Sequence, residues 1–177
     1  SPLWGWKDPR NTFTLPLWLE LFPDARVINV ERHGVDVAES LVVRRKRSLK
    51  RSRDRFQRRR NLYRFIPKRG VLADTPRLAT RPQALELWQE YMAEGRKQAA
   101  SLGDQALTIH YETFLEDPAP ELDRLADFCG LKLNISAREA FVRDLDPGRA
   151  FAYRGSPELC QFANEQAETL EAFGYTP

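Results

Sequence analysis

The stretch ARVINVERHGVDVAES, Ala25 to Ser40, decides how the chain is read. ARVINVER (Ala25–Arg32) is rich in β-branched residues and apolar on both faces, the pattern of a central strand in a parallel sheet. Gly34 lets the chain double back. Asp36-Val-Ala-Glu39 resembles a capping box with aspartate in the Ser/Thr role, so a long helix is expected from Asp36. Ligands of α/β sheets bind beyond the carboxyl ends of strands. Arg32 stands at such an end, next to the unpaired N–H groups and positive dipole of a helix N-terminus. Ser40 comes near the end of that helix's first turn. A guanidinium, a hydroxyl and a helix N-terminus converging on one point suit an anion such as phosphate. The same residues also fit an arginine paired with Glu31 or Asp36 and a serine bonded to its own backbone. Both readings stay open on this stretch alone.

Outward from it, QALTIHYET (Gln105–Thr113) reads as a second buried strand, and LWGWK (Leu3–Lys7) as a third, cut short by Pro9. Helices fit between them. Thr14 to Phe22 carries an apolar face and stops at Pro23, and Arg81 to Ala100 sets Leu85, Trp88, Tyr91 and Met92 on one side. Asp117-Pro118 is an N-cap followed by proline at the first helical position. Leu122, Leu125, Ala126 and Cys129 then face inward, and Gly130 ends that helix. Pro157 to Phe173 is a closing amphipathic helix that ends at Gly174. Strands alternating with helices predict an α/β domain with a parallel sheet.

At 177 residues the chain has the size of one domain, and 42% hydrophobic with 30% charged residues is ordinary for a globular protein. It carries no apolar run near the roughly 18 residues of a membrane span and no signal-peptide pattern. Cys129 and Cys160 have no CxxC or histidine partner nearby, which fits free thiols in a reducing, cytoplasmic setting. The net charge of +3 hides a sharp asymmetry. Between Arg44 and Arg60 stand eleven Arg or Lys and one Asp, leaving 17 basic against 24 acidic residues elsewhere.

WGWKDPR, the LFPDARVINVERHGVDVAESL segment and LTIHYETFLEDPAPELDRLADFCGL together resemble the sulfotransferase family, whose sulfate donor is 3′-phosphoadenosine-5′-phosphosulfate (PAPS). The resemblance spans most of the chain outside about residues 44–81. It implies a three-layer α/β fold of the P-loop type, a parallel sheet flanked by helices, with residues 1–177 forming one sulfotransferase-like domain and no metal. In the family a strand ending in arginine, a turn and D-V-A-x-S grip the donor's 3′-phosphate; Arg32 and Ser40 match at the right spacing. The family's Y-E-x-x-x-x-D-P segment matches Tyr111, Glu112, Asp117 and Pro118, and its tyrosine implies that Tyr111 lies near the adenine. Two motifs in order, about 70 residues apart, are far more specific than either alone.

Three departures follow from the same resemblance. In the cytosolic branch a lysine stands two residues before the catalytic histidine; here Lys7 is followed by Pro9, and His33 and His110 lie elsewhere. His110, on a strand, reads as structural. A carboxylate would then replace the base, with Asp8 the nearest and an acidic residue upstream of Ser1 equally suited. Lys7 would offset charge on the bridging oxygen, or else pair with Asp8 or Glu112. The family's opening strand and its turn G-x-x-R-S/T-G-T-T/S would lie ahead of SPLWGWK, so the expectation is an N-terminally incomplete fold, a piece of a longer protein or else a degenerate relative, inactive without that loop. Arg154-Gly155 partly matches an Arg-Lys-Gly loop that closes the 3′-phosphate site.

RRKRSLKRSRDRFQRRR lies where the family varies and contributes to the acceptor site. Eleven positive charges would bind phosphates in a salt-dependent way. However, Leu41, Leu49, Phe56 and Tyr63 recur every seven or eight residues, as if packed on a body, and aromatics placed to stack bases are missing. Nucleic acid is therefore set aside as main partner in favour of a small-molecule or glycan acceptor, an acidic or sulfated glycan above all. The rival function is a non-catalytic module that binds the nucleotide corner and polyanions. Oligomeric state is not legible.

Overall fold

Two strands pair in parallel: β1 (Val27–Glu31) lies beside β2 (Ala106–His110), with Val27 opposite Ala106 and Glu31 opposite His110. The computed structural model describes residues 4–59 and 76–177. Eight α-helices and four short 3-10 turns accompany them in the described chain: α1 (Asn11–Leu21), α2 (Gly34–Arg59), α3 (Arg81–Leu102), α4 (Tyr111–Glu116), α5 (Pro118–Cys129), α6 (Ile135–Asp144), α7 (Pro157–Glu165) and α8 (Ala167–Glu171) are the α-helices. The protein is thus a helix-rich α/β fold with a small parallel sheet. Contacts gather it into two compact units, one of Ser1–His33 with Glu90–Arg154 and one of Gly34–Gln89 with Gly155–Pro177.

In the first unit the sheet sorts its side chains by face. Ile28 and Val30 are exposed at 42% and 59%, so β1 is not covered on both faces as its apolar alternation predicted. Asn29 and Glu31 take the other face, and α3 approaches it at Gly95, where a Cβ would come within 3.0 Å of Asn29 Oδ1. That approach lets Arg96 donate to both oxygens of buried Glu31, the shortest bond being 2.7 Å. On α5, Leu122 and Ala126 are buried, and Gly130 ends the helix at φ +69° as its position predicted.

Several expectations are corrected. Trp4 to Lys7 is not a strand: the indole rings of Trp4 and Trp6 stack on each other, and Trp6 meets Trp18 of α1 edge-on at 4.9 Å. Ring packing holds this segment where ladder bonds would otherwise. Among the described residues the sheet therefore has two strands, not the three expected. The second strand stops at His110, because Tyr111 already begins α4. Residues 135–144 form a helix that was not foreseen, opened by Asn134, whose side chain accepts from the Ala137 N–H. The closing helix breaks at Gln166, which leaves helical geometry at φ −110°, ψ 19°.

In the second unit α2 starts at Gly34, two residues before Asp36. Gly34 has no positive φ; its role is spatial. A Cβ there would lie 2.8 Å from Leu85 Cδ1, 3.0 Å from Trp88 Cε3 and 3.1 Å from Leu170 Cδ2. Val35, Ala38, Leu85, Trp88 and Leu170 make a buried core around this point. Arg81 ties α3 to α2 and α7 through Glu39 at 2.6 Å and Glu158 at 2.5 Å, which holds the Glu158 carboxyl below its ordinary range. Further along α2, Leu49 and Phe56 of the apolar stripe are exposed at 44% and 41%. Tyr63 lies outside the described residues. Because the core has no room for one more methyl, Gly34→Ala should lower unfolding free energy by about 1–3 kcal/mol in denaturant titration; an unchanged midpoint would contradict the close approach.

Candidate functional site

Parallel pairing carries β1 and β2 to the same end of the sheet, and paired residues stand 79 positions apart. The same offset persists beyond the last ladder pair. Arg32 meets Tyr111, its guanidinium 4.5 Å from the ring centroid, and His33 meets Glu112. Arg32 also donates from Nη2 to the Arg149 carbonyl at 2.9 Å. A guanidinium held between an aromatic face and a backbone carbonyl loses little further entropy when it takes an anion. The two sequence-expected residues Arg32 and Tyr111 are therefore brought together, with Tyr111 as the first residue of α4 and not on a strand.

His33 is completely buried, and its backbone N–H donates to Glu112 Oε1 at 2.8 Å. A buried N–H must find an acceptor. With the chain after His110 turned into a helix, the carboxylate supplies the acceptor where the strand's backbone no longer does. Glu112 itself is 4% exposed, and its Oε2 has no hydrogen-bond partner among the described residues. A buried, unsatisfied acceptor costs about 1–3 kcal/mol. The His33 ring stacks on Tyr153 at 4.4 Å, nearly parallel, and meets Phe151 at 5.8 Å. His33 thus serves packing, with no ring surface left to solvent. The other histidine, His110, is half-exposed and stands 3.9 Å from Glu31 Oε2.

Arg154 belongs to the same loop. Its guanidinium lies 4.1 Å from the Phe151 centroid, and Phe151 is the one non-glycine residue with positive φ, +49°, among those described. At Gly155 a Cβ would meet nothing within 4 Å, so no crowding demands glycine there. Ser40 belongs to the second unit and is exposed on α2.

Lys7 and Asp8 follow the tryptophan pair. Lys7 is exposed, and no carboxylate pairs with it among the described residues. Asp8 is engaged by Arg10 four ways, three from the guanidinium, the shortest 2.6 Å, and one from the backbone N–H. These bonds pull its carboxyl from 3.8 down to about 2. Asp8 also lines an open cleft of about 280 Å³ with Asn11 and the aromatic rings of Trp4, Trp6, Trp18 and Phe22. No cluster of His, Cys, Asp or Glu among the described residues could hold a metal ion, and none of their helices is long and apolar enough to cross a membrane.

Sequence reasoning missed Glu112's bond to His33, the Tyr153 stack and the Arg10 clamp on Asp8. Only the last had a local signal, an Arg two residues after an Asp. Comparison with protein families matches residues 1–134 to a model described as the sulfotransferase family. The match includes Lys7, Arg32, Ser40, Tyr111 and Glu112 and stops short of Arg154. Searches of curated proteins and of solved structures gave no match.

The Arg10 clamp predicts the titration of Asp8. Its folded value lies below the ordinary 3.8, so the stabilisation it contributes is complete above about 3.8 and lost as pH falls through about 2. Carboxyl NMR should place the midpoint near 2 and, in Arg10→Gln, back toward 3.8. A wild-type midpoint at 3.8 or above would rule the clamp out.

Proposed function

The chain belongs to the sulfotransferase family, and we propose that it moves a sulfuryl group from PAPS to a hydroxyl or amine of an acceptor. The observation that carries this reading is Arg32 at the carboxyl end of β1, held against Tyr111 and the Arg149 carbonyl. A cation fixed over an aromatic ring fits a phosphorylated purine nucleotide, whose base and phosphate need those two kinds of surface. Bound there, PAPS would supply the activated sulfuryl group. Arg32 and Ser40 would take the 3′-phosphate, Tyr111 would lie near the adenine, and Arg154 with Gly155 would close over the nucleotide.

Lys7, exposed and without a carboxylate partner among the described residues, is suited to offset negative charge on the leaving oxygen. Asp8 is the proposed base within this chain. With its carboxyl near 2, it orients an acceptor hydroxyl better than it takes a proton at neutral pH, unless Arg10 releases it.

The acceptor we propose is a glycan carrying negative charge. Two observations support that choice. The aromatic cleft beside Asp8 offers apolar ring faces edged by a carboxylate and an amide, suited to a sugar ring. On α2, Lys46, Arg47, Lys50, Arg51 and Arg55 are exposed and leave a cationic surface for acidic groups. A reducing, cytoplasmic setting belongs to the same reading and rests on Cys129 and Cys160 standing as free thiols.

Two experiments test it. Calorimetry with adenosine 3′,5′-bisphosphate should show binding that Arg32→Ala weakens by about tenfold or more, the usual worth of a charge-assisted contact; equal affinity would refute the phosphate assignment. Replacing Arg47, Arg51, Arg55 and Arg58 by glutamine should raise KM for a sulfated glycan far more than for its neutral counterpart. No difference between the two acceptors would sink the anionic choice.

A further inference from the structure

We propose that Glu112 is a positioning residue for the nucleotide corner, acting through the His33 backbone to fix where Arg32 points. The inference rests on the reading that Arg32 takes the 3′-phosphate. β1 ends at Glu31, so Arg32 and His33 have no ladder of their own to hold them. After the paired strand β2, Tyr111 and Glu112 have already entered α4. The offset of 79 nevertheless continues, and at its last step a side chain replaces the backbone: Glu112 Oε1 accepts the His33 N–H at 2.8 Å. One residue earlier, the same helix presents the Tyr111 ring under the Arg32 guanidinium. Two adjacent residues of one helix therefore hold two adjacent residues of the turn.

Three further features mark this bond as more than a filler. Both groups are buried, His33 completely and Glu112 to within 4%, so water cannot substitute for either. The His33 ring is fixed on its own account by the Tyr153 stack at 4.4 Å, so the bond to Glu112 settles the backbone while the stack settles the side chain. Lastly, a carboxylate is a costly way to accept one amide. Its second oxygen is buried without a partner among the described residues, although glutamine could accept the same N–H. By contrast Glu31, the neighbouring buried carboxylate, spends both oxygens on Arg96 and has an evident structural use.

The test compares two nucleotides that differ only in the 3′-phosphate: adenosine 3′,5′-bisphosphate and adenosine 5′-monophosphate. Their affinities are measured by calorimetry, alongside melting temperature, for wild type, Glu112→Ala, Glu112→Asp, Glu112→Gln, Arg32→Ala and the Glu112→Ala/Arg32→Ala double variant. Glu112→Ala should weaken the bisphosphate about tenfold and the monophosphate less than about twofold, the size expected for losing a hydrogen bond to a charged group. Glu112→Asp draws the carboxylate back by one methylene and should show the same selective loss, which covers an alanine variant that does not fold. Glu112→Gln keeps an oxygen for the His33 N–H and should recover bisphosphate affinity to within about threefold. The double variant should bind no more weakly than Arg32→Ala, since both changes remove one contact. Equal losses for the two nucleotides, or additive losses in the double variant, would overturn the positioning role while leaving the nucleotide reading intact. A wild-type protein that does not prefer the bisphosphate, or an Arg32→Ala protein that binds it normally, would overturn both.

Discussion

The parallel, in-register pairing of β1 with β2 is the constraint on which the site depends. Parallel strands deliver their carboxyl ends to one side, so whatever follows each strand meets there. An antiparallel pair would have sent Arg32 and Tyr111 to opposite ends of the sheet. With the register set at 79 positions, each residue after β1 finds a partner after β2, although neither segment is still a strand. The ladder ends, and its register continues through a cation–π contact and a side-chain hydrogen bond. Sheet geometry is thereby converted into side-chain geometry.

Two arginines of the first unit are held by rings. Arg32 rests on Tyr111 and Arg154 on Phe151, whose left-handed backbone carries strain of order 1–3 kcal/mol for a bulky residue. Strain of that size persists only where the surroundings impose it. Here the loop presents two aromatic rings, Phe151 and Tyr153, to the same buried histidine. Cations stacked on rings are already oriented, so binding an anion would cost them less order than it costs a lysine on a flexible stem.

What could be read from the sequence was what depends on neighbours along the chain. The αL glycine at Gly130, the proline opening α5 and the central residues of both strands follow from local propensity and period. Arg32 was legible because the strand-turn-helix pattern around it is local, and Tyr111 because its motif is. The rest was set by distant partners. Trp4 and Trp6 look like a strand until their rings are seen stacked together, with Trp6 edge-on to Trp18. Leu49 and Phe56 keep a helical spacing yet remain exposed, since spacing puts residues on one side of a helix without saying what lies opposite. Gly34 was read as the residue that lets the chain double back and proved to be a space for Leu85, Trp88 and Leu170. Glu112's bond to His33 needed the strand register, which no single segment contains.

The wide separation of the paired strands also bears on how the protein comes to fold. Each contact of the sheet joins residues 79 apart, so no hairpin can seed it. Closing so long a loop is unfavourable before any strand contact rewards it, with a cost that grows as about (3/2)RT ln n. Helices α2 and α3 lie within that loop and shorten its effective length once formed. Formation of β1–β2 is thus expected late and slow, after local helical order. The site at its carboxyl end would then be among the last parts of the chain to assemble.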